Sequence, residues 1–138
     1  MERIYSKSNT EQLLHVVFRG SEAPAHGRID LTPDAEGLQV AYLGLKDEQT
    51  FKAHKHIPRP RTIEQTQETW IVVRGEVEVF YFDLDDTPLG SRILQPGDIT
   101  ITLAGGHNYA GRAESSLVVE CKTGPFVGVE ADKVLLPV

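Results

Sequence analysis

The rhythm of apolar and polar positions changes at Gly37. Before it, Leu13, Leu14, Val16, Val17 and Phe18 follow a capping-type Asn9 or Thr10 and stop at Gly20, which predicts a short helix over Thr10–Arg19 rather than a strand. Ser21–Gly37 carries Pro24, Gly27, Pro33 and Gly37 and reads as loop, with one edge strand at Arg28–Leu31. After Gly37 short apolar or alternating runs recur between turn signals: Leu38–Leu45, Thr50–His56, Glu68–Arg74, Val77–Phe82, Ser91–Leu94, Ile99–Leu103 and Leu117–Lys122. Runs of this length with Gly, Pro and Asp between them predict an all-β sandwich or barrel. No repeat of fixed period and no second block of different character interrupts the series, so residues 1–138 are expected to form one domain with its core at about Leu38–Lys122.

Alternation also assigns faces. Lys52, His54 and His56 share one side of their segment, and Glu68, Trp70 and Val72 share one side of theirs. In the Ile99–Leu103 run the isoleucines and Leu103 oppose Thr100 and Thr102.

Composition narrows the function classes. Fourteen basic against twenty acidic side chains give a net charge of −6, which disfavours nucleic acid and anionic membrane surfaces as partners. A single cysteine, Cys121, excludes an internal disulfide and a cysteine-based zinc site, and is expected to be a buried thiol in a reducing compartment. No apolar run is long enough to span a bilayer, and Leu13–Phe18, broken by His15, is too short and polar for an export signal, so a cytoplasmic protein is expected. Phosphate-binding loops, dinucleotide fingerprints and the serine-hydrolase elbow are absent from the sequence.

Of the five histidines, His54 and His56 form a His-x-His pair, by itself a weak signal for ligation. Its company adds information. Glu68 opens an apolar segment with six residues between it and Gly75, and Pro96-Gly97-Asp98 opens an alternating run that ends in Ala104-Gly105-Gly106-His107. In these residues the chain resembles the cupin superfamily, over roughly Leu38–Lys122. The resemblance implies a double-stranded β-helix, or jelly-roll barrel, preceded by a short helical or irregular segment. It also implies four metal ligands, His54, His56, Glu68 and His107, around one divalent ion (Zn, Fe, Mn or Ni). Neutral imidazoles with one carboxylate suit a hard-to-borderline ion.

The chain departs from the family pattern in two places. Eleven residues, Ile57–Gln67, separate His56 from Glu68 where a few are usual, and they include Glu64 as an alternative ligand. The second motif ends one residue short, with Leu103 where a proline is usual. The insert places Arg59 and Arg61 on a proline-stiffened loop, a candidate clamp for an anionic ligand. Trp70 and Tyr109 are candidate walls of a ligand pocket.

The end of the chain, Glu120–Phe126 with Asp132-Lys133, is similar to small bacterial cupins of surface-polysaccharide and nucleotide-sugar pathways. Glu68–Val73 is similar to the cupin domain of type II mannose-6-phosphate isomerases. These resemblances point to a sugar-like ligand and Arg59 and Arg61 to an anionic one, and an enzyme is expected ahead of a passive binder. Lewis-acid isomerisation or proton transfer is the first expectation. An Fe(II)-type dioxygenase and a non-enzymatic sensing module are the alternatives. Glu64, Glu68 and Tyr109 are the only evident bases, no residue is assigned as catalytic, and a homodimer is expected because exposed sheet edges need cover.

Overall fold

The computed structural model describes residues 1–137, and they form antiparallel sheets in an all-β fold. The strands are β1 (Glu2–Tyr5), β2 (Leu13–Phe18), β3 (Gly27–Asp30), β4 (Ala41–Gly44), β5 (Glu68–Arg74), β6 (Val77–Phe82), β7 (Pro88–Leu94), β8 (Ile99–Thr102), β9 (Gly106–Gly111) and β10 (Leu117–Lys122). A single helical turn, α1 (Val129–Asp132), follows. The sheets have the orders β1-β2-β8-β5-β10, β7-β6-β9 and β3-β4. No helix among the described residues is long and apolar enough to cross a membrane.

The inner strands of the five-stranded sheet are covered on both sides, and strand alternation sorts their residues between two cores. Val16, Phe18, Ile99 and Ile101 pack with Leu31 and Leu103 on one side, where Ile29, Val40 and Tyr42 of the β3-β4 region close over them. Val17 and Val72 face the other way and pack with Val77, Val79, Tyr81 and Leu94 of the three-stranded sheet. Between β5 and β6 the chain reverses at Gly75, whose φ of +76° and close approach to the Ser115 carbonyl leave no room for a side chain.

Several expectations are corrected. Leu13–Phe18 is a strand and not part of a helix, paired to β1 on one edge and β8 on the other. Its near-continuous apolar run reflects burial on both faces, the case in which periodicity does not separate strand from helix. Thr50–His56 is in no strand, and every residue from Leu45 to Gln65 is exposed. Leu38–Leu45 contracts to Ala41–Gly44, while Ser91–Leu94 extends back to Pro88. Cys121 is exposed rather than buried, because β10 is an edge strand with one uncovered face.

Candidate functional site

Strand parity builds the site. On β8 the threonines point away from the isoleucine side, into the space between the two larger sheets. There Thr100 Oγ1 meets the Tyr81 hydroxyl at 2.8 Å and Thr102 Oγ1 meets His15 Nδ1 at 3.1 Å. Register continues the row: Thr102 lies opposite His15 on β2 and opposite Glu68 on β5. From the other sheet, His107 and Tyr109 occupy same-face positions of β9, with His107 opposite Tyr81 on β6.

Glu68 and His107 therefore meet across the sheets, Oε1 to Nε2 at 3.4 Å. Glu68 is only 4% exposed. The Trp70 indole donates to the same Oε1 at 2.7 Å and to Glu120 Oε2 at 3.2 Å. The Trp70 and Tyr109 rings are stacked, 3.6 Å between centroids and 2° from parallel. His107 Nδ1 and the Tyr109 hydroxyl are buried and have no hydrogen-bond partner among the described residues. Leaving such a group unmatched costs about 1–3 kcal/mol.

Electrostatics distinguish these groups. Burial is the largest influence on Glu68 and pushes its carboxyl upward. The His107 hydrogen bond and charge, the Trp70 N–H and the more distant Lys133 outweigh it together, leaving Glu68 below the usual carboxylate range. Tyr109 is raised, first by burial and then by the neighbouring Glu68 charge. His15 is lowered to about 4 by burial, against the opposing pull of the Phe82 carbonyl.

A pocket of about 560 Å³ opens onto this pair, with Glu68, Thr102, His107, Asn108, Asp83 and Lys133 in its walls. That volume is in the range of small-molecule sites. The close passage of chain at its base needs a glycine. A side chain at Gly105, where φ is +77°, would sit 2.5 Å from the Phe82 carbonyl oxygen.

The other expected ligands lie elsewhere. His54 and His56 stand next to each other, ring centroids 5.5 Å apart, but on the exposed irregular segment, where His54 Nδ1 bonds the Lys52 carbonyl at 2.9 Å. Among the described residues no three His, Cys, Asp or Glu side chains converge as a metal-holding group. Of the four implied ligands only Glu68 and His107 come together, so the donor set does not fit the implied ion in this arrangement. Glu64 is exposed and does not replace either histidine; it shares a shallow hollow of about 470 Å³ with Arg61, Thr123 and Asp132. Arg59 and Arg61 are exposed, make no ion pair among the described residues and do not line the Glu68 pocket. Trp70 and Tyr109 do stand at the Glu68 and His107 pair, as a stack behind it rather than as separate walls.

Four contributors were not assigned to the site from the sequence. Lys133 and Asn108 carry no pattern that marks a pocket wall. His15 carried a signal, a lone polar residue in an apolar run, and Thr102 carried the threonine side of an alternating strand. No family model, no curated protein and no solved structure matches the chain.

Proposed function

We propose that this chain is a cupin-type jelly-roll protein that binds a small sugar-like or anionic metabolite between its two larger sheets and moves a proton on it. Glu68 and His107 are the proton-handling pair. The observation that carries the reading is the contact of Glu68 with His107 in the wall of a pocket of metabolite size.

A carboxylate held below its ordinary range is ionised at neutral pH, so Glu68 accepts hydrogen bonds and fixes the imidazole, which is the stronger base of the two. The proton shared between His107 Nε2 and the Glu68 carboxylate is the one the pair exchanges with a ligand. Trp70 holds Glu68 Oε1 in place, and the Tyr109 ring laid over Trp70 keeps water from that side. Lys133 supplies a positive charge toward the carbonyl of a ligand, against the carboxylates of Asp83, Asp86 and Asp132 in the same walls. Proton removal next to a carbonyl, as in an aldose–ketose or epimer interconversion, requires this combination of base, donor and electrophilic partner.

The test is solvent exchange. Aldose and ketose phosphates are incubated with the protein in deuterated water, and deuterium at the carbon beside the carbonyl is followed by proton NMR. Wild type should incorporate it, and Glu68→Gln and His107→Asn should each slow incorporation by roughly 100-fold. Incorporation that survives both substitutions overturns the assignment, as does a wild type that neither binds nor exchanges any member of the set. Divalent metal bound stoichiometrically and lost on His54→Ala would replace the metal-independent pair with the four-ligand site.

A further inference from the structure

The buried His15 bonds Thr102, a residue of the pocket wall. His15 has no exposed surface and lies in mid-strand, with Tyr81 tilted against its ring at 4.8 Å between centroids. Its two nitrogens have one partner each. Nε2 faces the Phe82 carbonyl oxygen at 3.2 Å and Nδ1 faces Thr102 Oγ1 at 3.1 Å. A carbonyl only accepts, so Nε2 must carry a hydrogen. No carboxylate is within hydrogen-bonding distance of the ring, so a second proton would leave an unpaired charge in the core. Burial accordingly keeps the ring neutral at ordinary pH. Nδ1 is then an acceptor, and the Thr102 hydroxyl must donate to it.

Thr102 lines the pocket, yet its one hydrogen is spent on His15, so toward a ligand it offers lone pairs alone. Directly opposite on β5 stands Glu68, whose Oε1 is taken by Trp70 and His107 and whose Oε2 makes no hydrogen bond among the described residues. Two neighbouring strands thus present two acceptors side by side and no donor.

We infer that Thr102 Oγ1 and Glu68 Oε2 form an acceptor pair that selects a ligand with two adjacent hydroxyl donors, the vicinal diol of a sugar, and that His15 is the positioning residue that keeps Thr102 in its accepting state. The inference rests on the pocket reading above and gives it a substrate class. It also gives it a direction. The diol sits at the β5-β8 wall, and the end of the ligand that needs donors faces His107, Asn108 and Lys133.

Two measurements test it. In the unliganded protein, long-range nitrogen–proton NMR at pH 7 should find His15 neutral with its hydrogen on Nε2, and Thr102→Val should shift the Nδ1 resonance alone. A ring protonated on Nδ1, singly or with Nε2, overturns the inference while leaving the proton-transfer reading standing. The second measurement uses glucose 6-phosphate and its 2-, 3- and 4-deoxy analogues in calorimetric titrations. Wild type should bind one or two of the deoxy compounds roughly tenfold more weakly than the parent. Thr102→Val should weaken the parent by a similar factor and lose the discrimination, and Thr102→Ser, which keeps the hydroxyl, should restore both. Unchanged parent affinity in Thr102→Val overturns the diol assignment. A wild type that binds none of the four, with the Nε2 tautomer in place, brings down the sugar-pocket reading and this inference with it.

Discussion

The row His15, Thr102, Glu68 and the irregular stretch around His54 and His56 are equally rich in polar chemistry, and the structure treats them in opposite ways. In the row, burial removes water, so each polar atom must find a protein partner or a ligand. Thr102 and Glu68, both 4% exposed, are consequently held by strands whose register is fixed by the apolar residues between them. In the stretch from Leu45 to Gln65 every residue is exposed, and water can satisfy histidine and arginine there without specifying where they sit. A sequence motif becomes a site only where desolvation forces its members to choose partners.

The contrast can be broken from the interior first. Tyr81 has no exposed surface, packs in the inter-sheet core and bonds Thr100, so Tyr81→Ala should cost about 3–5 kcal/mol in urea unfolding. Ile57 is as apolar but 85% exposed, and Ile57→Ala should leave the midpoint unchanged. Comparable losses at both positions would mean that the irregular stretch is packed in solution.

Acidification should give the next largest effect. His15 titrates at about 4 when folded and near 6.5 when unfolded. Between those values the unfolded chain holds more protons, so stability falls as pH drops from 6.5 to 4, by on the order of 3 kcal/mol from this residue. Urea unfolding across that window should show a steeper loss for wild type than for His15→Gln. His54→Ala and His56→Ala, made in water-exposed rings, should follow the wild-type slope. Parallel slopes for wild type and His15→Gln would show that the ring is not buried neutral.

The smallest effects belong to the arginines. Arg59→Ala and Arg61→Ala should change stability by less than about 0.5 kcal/mol, and neither should alter sugar phosphate affinity, since neither lines the Glu68 pocket. A large loss of affinity in either variant would return the insert to the site.

Much of the fold was legible along the chain. Glu68–Arg74, Val77–Phe82 and Leu117–Lys122 have the bounds that alternation and turn residues suggest, because each has unlike faces and a clear stop. Leu13–Phe18 was not legible as a strand, since burial on both faces erases the period of two. Thr50–His56 has the period and lacks a partner strand, and alternation without a neighbour to pair with does not make a sheet. Glu68, His107, Trp70 and Tyr109 were marked by motif and position. Thr102 and Lys133 were not, because nothing in their own neighbourhoods records what faces them.

By itself the sequence determined which segments could pair, where the chain had to turn and which residue types were available for proton chemistry. These are properties of contiguous residues, carried by side-chain alternation and by the backbone needs of Gly and Pro. The tertiary structure decided which of those residues meet. His15 and Thr102 are 87 positions apart and become neighbours only through the register of β2 on β8. Glu68 and His107 belong to different sheets and are joined by the packing between them. That packing depends on burying two apolar faces against each other, a long-range requirement that no local pattern contains.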